Sequence, residues 1–124
     1  MNADVAVDET RNLISADKVE GTYVFDSEGE QLGHIKTIML NKLNGRVAYA
    51  VLSTGGFLGL GTDYYPLPWE ILRYDTDLGG YVVSVRRDML DGAPHYPADQ
   101  EPDWADRLFG EAVRGYYGAP GAAA

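Results

Sequence analysis

The stretch from Arg46 to Glu70, RVAYAVLSTGGFLGLGTDYYPLPWE, decides the fold. In an extended chain Val47, Tyr49 and Val51 fall on one side, and Ala48, Ala50 and Leu52 on the other. A strand over Arg46 to Ser53 is therefore apolar on both faces and needs covering twice, as a barrel wall does beneath an appended segment or a partner. The glycine-rich run Gly55 to Gly61 lets the chain turn sharply, and Asp63 to Leu67 returns as a second strand. Pro66 and Pro68 cannot donate ladder hydrogen bonds, which places that strand at an edge or a barrel rim. Trp69 then caps the corner over the core. Strand, glycine corner, strand and Pro-Trp read together as the corner of a small β-barrel, and they spell out no reaction.

Outward on the N-terminal side, Asn44-Gly45 marks a turn and Gln31 to Leu40 a strand. Its inward residues are either Leu32, His34, Ile38 and Leu40 or the opposite parity through Ile35 and Met39, and the pattern leaves both open. Asp26-Ser27-Glu28-Gly29 fits a type I turn, joining this strand to a first one at Thr22 to Phe25. Ser15 can cap one helical turn reaching Val19, which Gly21 ends. Met1 to Asn12 reads as a disordered arm.

On the C-terminal side, Trp69 to Leu72 makes a tight turn. Leu72 to Asp75 and Tyr81 to Val85 then form a hairpin around Thr76 to Gly80, and Arg87 to Leu90 a brief helical turn. Short strands with evenly spaced turn signals predict a mainly β domain over 13–96, an antiparallel barrel or sandwich rather than an α/β fold. After a linker at 97–103, Asp103 is placed to cap an amphipathic helix over 104–117. Trp104, Leu108, Ala112 and Tyr116 make one apolar row, and Ala105, Phe109, Val113 and Tyr117 a second, opposite Asp106, Arg107, Glu111 and Arg114. Residues 118–124 read as a disordered tail.

The chain has 124 residues, enough for one domain with one core, and 45% of them are apolar. It has no cysteine, so disulfides, thiolate metal sites and cysteine nucleophiles are excluded. The formal net charge is -9, from 19 acidic and 10 basic side chains. That balance repels nucleic acid and anionic lipid, and it suits a protein partner with a basic patch. The acidic start lacks a basic n-region and an apolar h-region, so no signal peptide is expected. Every apolar run falls short of the roughly 20 residues that span a bilayer. The expectation is a soluble, cytoplasmic protein.

The motifs that could carry chemistry fail on inspection. Gly56 to Thr62 superficially fits a phosphate loop, but the lysine is missing and a strand, not a helix, follows. Asp75-Thr76-Asp77 opens like a calcium loop, yet Arg86 stands where the bidentate glutamate belongs. The two histidines, His34 and His95, lack metal-ligand spacing. Ser15, Ser53 and Ser84 lie outside any nucleophile elbow. No catalytic residue, cofactor, metal or small-molecule ligand is expected. The candidate contact residues are Phe57 and Leu58 at the glycine corner, and Trp104, Leu108, Phe109, Val113, Tyr116 and Tyr117 in the closing helix, because aromatic and apolar side chains supply interface area at modest entropic loss.

Several pieces taken together resemble one family. They are Leu13-Ile14-Ser15-Ala16, Glu30-Gln31-Leu32-Gly33, Val47 to Ser53, Gly55-Gly56-Phe57-Leu58-Gly59 and Pro66-Leu67-Pro68-Trp69. The chain resembles the PRC-barrel domain, named for the cytoplasmic part of the H subunit of the bacterial photosynthetic reaction centre. Trp104 with Tyr116-Tyr117-Gly118 is similar to the tail of stand-alone alphaproteobacterial members. The resemblance implies a six-stranded antiparallel barrel, an adaptor rather than a catalyst, and a homodimer. Known members also suggest an accessory role in membrane electron transfer, or a ribosome-maturation contact like that of RimM. An enzyme is the remaining alternative.

Overall fold

The computed structural model describes residues 13–54 and 62–119. The readings of 1–12, of the glycine corner with Phe57 and Leu58, and of 120–124 lie outside the described residues. One helical turn, α1 (Ala16–Val19), leads into β1 (Tyr23–Phe25), β2 (Gln31–Leu40), β3 (Val47–Ser53) and β4 (Asp63–Pro68). A 3-10 turn at Trp69–Ile71 precedes β5 (Leu72–Asp75) and β6 (Gly80–Val83). A second 3-10 segment at Arg87–Gly92, the short β7 (Tyr96–Pro97) and the helix α2 (Arg107–Tyr117) complete the order.

The strands form one seven-stranded sheet in the order β5-β6-β1-β2-β3-β4-β7. This corrects the closed six-stranded antiparallel barrel. Among the described residues no pairing joins β5 to β7, so the sheet stays open between its edges. The seventh strand arises where the start of the expected linker pairs back onto β4, Tyr64 opposite Tyr96 and Asp63 opposite Pro97. Further along β4, Pro66 and Pro68 share one parity, so their missing donors face one side, and β7 does not reach them. The sheet is not wholly antiparallel either, because β1 runs parallel to β6, Val24 opposite Tyr81. Turn signals fix partners within each hairpin, and how the two hairpins abut is a non-local matter.

Neither parity holds along β2. The register shifts between Val24 and Phe25, between Ile35 and Thr37, and between Met39 and Leu40. Leu32 and Ile35 are buried and Ile38 packs against the same core, a spacing of three that only bulges allow in a strand. Close approach to β3 adds its own demand at Gly33, where a Cβ would collide with the Ser53 carbonyl. Val24, Ile35, Leu52, Leu67 and Val83 are wholly enclosed, and Trp69 packs over this core at 5.4 Å from the Tyr81 ring.

Helix α2 starts later than the sequence suggests. The Asp103 side chain accepts from Ala105 N (3.0 Å) in a turn that stops at Trp104-Ala105. Asp106 is the cap, accepting from Leu108 N at 2.9 Å. Gly118, at φ 68°, closes the other end. Two aspartates three apart offered two starts. Trp104 is held outside the helix by the Tyr49 and Tyr96 rings and by its Nε1 bond to Glu101.

Candidate interaction surface

Helix α2 packs on the sheet of its own chain. Pairing places Ala50 with Leu67 and Leu52 with Tyr65 on the core side of β3 and β4, leaving Tyr49, Val51, Pro66 and Pro68 on the outer side. That outer side is the second apolar face of β3, and α2 covers it. Val113 is fully buried, and Phe109 and Tyr117 are partly so. Tyr117 reaches round to the main core, while the Tyr116 hydroxyl donates to the Met89 carbonyl. Trp104 joins the layers, with ring centroids 5.9 Å from Tyr49, 6.0 Å from Tyr96 and 5.8 Å from Phe109. Gly110 lets the helix settle, since a Cβ there would lie 3.1 Å from the Tyr49 hydroxyl.

Of the sequence candidates, Trp104, Phe109, Val113 and Tyr117 thus face their own sheet. Leu108 is 69% exposed and Tyr116 half turned to solvent. Sequence reasoning missed Arg114, which it put on the polar face. Its guanidinium is buried, donating to Glu70 Oε2 at 2.8 Å and to the Ala48 carbonyl at 3.3 Å, and lying 5.2 Å over the Tyr49 ring. The β2–β3 register skips Ala48 and the β3–β4 pairing ends one residue short of it, at Tyr49, so its carbonyl is available to a side chain from outside the ladder. The only signal was the Gly110–Arg114 spacing beside Val113, which reads equally well as solvated helix.

A surface cleft of about 440 Å³ is lined by Asp26, Glu28, Glu30, Arg86, Arg87, Asp88 and Asp91. Asp26 is 1% exposed. Its Oδ1 accepts from Glu28 N (2.9 Å) and Glu30 N (2.8 Å), and its Oδ2 from Arg87 N (3.2 Å). Burial alone would raise this carboxyl. The three backbone donors and the Arg87 charge outweigh it and hold the pKa below the ordinary aspartate value. Arg87 also bonds the Gln31 carbonyl (2.7 Å) and Glu30 (3.1 Å). The cluster ties the β1–β2 turn to the segment after β6, and its buried carboxylate has both oxygens engaged.

The remaining polar groups are equally structural in their contacts. His34 faces Ser53 across the β2–β3 ladder, and no described hydrogen bond joins their side chains. His95 Nδ1 lies 2.9 Å from the Ala93 carbonyl, with its ring over Tyr65. Burial raises the Tyr65 phenol, pushes Tyr96 up to about 12, and raises Tyr117 further. The buried Tyr117 hydroxyl has no hydrogen-bond partner among the described residues. Among these residues, no group of three His, Asp or Glu could hold a metal, and no helix is long and apolar enough to cross a membrane.

Compared with known families, residues 11–90 match the family model of the PRC-barrel domain. The match ends within the second 3-10 segment, so β7 and α2 follow it as an addition to the shared part. No curated protein matches the chain.

Proposed function

The chain belongs to the PRC-barrel domain family, and on that premise we propose that it is a non-catalytic adaptor that meets a protein partner with its outer surface. The observation that carries this reading is the filled interior. Val24, Ile35, Leu52, Leu67 and Val83 occupy the space a ligand would need. Around the buried Asp26 the cleft is walled by charged side chains, with Arg86 paired to Glu28 and Asp88 and Arg87 to Glu30, rather than by an apolar pocket with converging polar groups. With a net charge of -9, the adaptor suits a partner carrying a basic patch. In this reading it works in the cytoplasm and takes other proteins or a second copy of itself as partners.

The test is affinity capture with the full chain from a native lysate, at low and high salt. A defined protein partner retained at low salt and shed at high salt is the expected outcome. A co-purifying small molecule that raises the melting temperature, or turnover of one, overturns the reading.

A further inference from the structure

The β5 edge strand, Leu72-Arg73-Tyr74-Asp75, pairs with β6 on one side and with no described strand on the other. Its cross-strand partners sort its faces. Leu72 opposite Val83 and Tyr74 opposite Tyr81 lie on the core side, while Arg73 opposite Val82 and Asp75 opposite Gly80 lie on the outer side. We propose that this edge pairs antiparallel with β5 of a second copy, about a two-fold axis through Tyr74. This deepens the adaptor reading by naming one partner.

The charges make the edge self-complementary. Arg73 and Asp75 flank the axis residue on one face. An antiparallel copy centred there therefore sets Arg73 directly opposite Asp75 of the other copy, and Asp75 opposite Arg73. Arg73 has no ion-pair partner among the described residues and is exposed. Asp75 uses Oδ1 for Asp77 N (2.9 Å) and Leu78 N (3.1 Å), which leaves Oδ2 for a guanidinium. On the other face Tyr74 is 40% exposed although it makes an edge-on ring contact with Tyr81 at 5.2 Å, so a pre-set aromatic surface awaits its own copy at the axis. The strand's shortness and charge blunt it against unlike edges, where Arg73 and Asp75 would be left facing apolar side chains. Only a strand with the reversed charge order satisfies them, and an antiparallel copy supplies it.

Sedimentation of the full chain over a dilution series tests this. The wild type should pass from dimer to monomer, and Arg73→Asp and Asp75→Arg should each weaken association at least tenfold. Mixing the two variants in equal amounts should restore a heterodimer, because each then supplies the charge the other lacks. A monomeric wild type, or a mixture no better than its components, overturns the proposal. Since the chain has no cysteine, Tyr74→Cys gives an independent check. Directly opposed residues of an antiparallel pair sit about 4.5–5.5 Å apart at Cα, within the roughly 4.4–6.8 Å that a disulfide spans. Mild oxidation should cross-link Tyr74→Cys much faster than Lys42→Cys at the far β2–β3 hairpin, and equal rates overturn the proposal. A monomer that still captures a different protein sinks this inference and leaves the adaptor reading standing. A small-molecule activity sinks that reading and leaves the dimer untouched.

Discussion

Asp26 is almost wholly removed from water, and three backbone N–H groups keep it charged. Hydrogen bonds to an ionised acceptor are stronger than neutral ones, so Asp26→Asn is expected to lower stability by about 2–3 kcal/mol at neutral pH. The pH dependence follows from the lowered folded pKa. The unfolded carboxyl titrates near about 3.9, so the contribution is complete above that value and disappears as pH falls through the folded one. Melting curves of the two proteins should therefore converge as the buffer is taken from pH 7 towards pH 3. A constant gap would mean that charge plays no part. The turn Asp26-Ser27-Glu28-Gly29 was legible from its residue types, since aspartate at the first position accepts from the backbone ahead. Its burial was not, because the covering segment, Val85 to Arg87, is distant in sequence and bonds it through Ser27 N and Arg87 N.

At the scale of elements, α2 tests which apolar row faces the sheet. Val113 is fully buried and Leu108 69% exposed, although both sit on apolar rows. Val113→Ala should cost about 2 kcal/mol, from two lost methyl groups and the space they leave. Leu108→Ala should stay within about 0.5 kcal/mol. Equal losses in thermal melting would show that the helix is not seated as described. The two apolar faces of β3 and the apolar rows of α2 were both legible as unmet needs, and each turned out to satisfy the other. The choice between rows was not legible, since it depends on Tyr49 meeting Gly110 and on Ala48 standing out of the ladder to receive Arg114. The bulges that leave Leu32 and Lys36 unpaired also explain why no single parity described β2. Period-two patterns locate strands but carry no mark for an inserted residue.

At the scale of the whole molecule, local signals gave the strands and hairpins. They could not give the parallel contact of β1 with β6 or the added strand β7, both of which join segments far apart in sequence. Three phenols sit where these distant segments meet: Tyr65 in the core, Tyr96 on β7, and Tyr117 at the end of α2. Burial raises all three above the ordinary tyrosine value, Tyr96 to about 12. Below pH 10 they are neutral in both folded and unfolded chains and add no pH dependence. Above it the unfolded chain gives up protons that the folded chain keeps. Stability is then lost as pH rises towards the folded values, by up to about 1.4 kcal/mol per pH unit for each such group. Tyr117→Phe isolates one of them, because the hydroxyl it removes is buried without a hydrogen-bond partner among the described residues. Losing an unsatisfied polar group is neutral or favourable, so this variant should melt no lower than the wild type at pH 7. At pH 11 it should melt higher, since one titration that favours unfolding has gone. A lower melting temperature at pH 7 would mean that the phenol is bonded within the fold, and identical curves at pH 11 would mean that it ionises as freely in the folded chain as in the unfolded one.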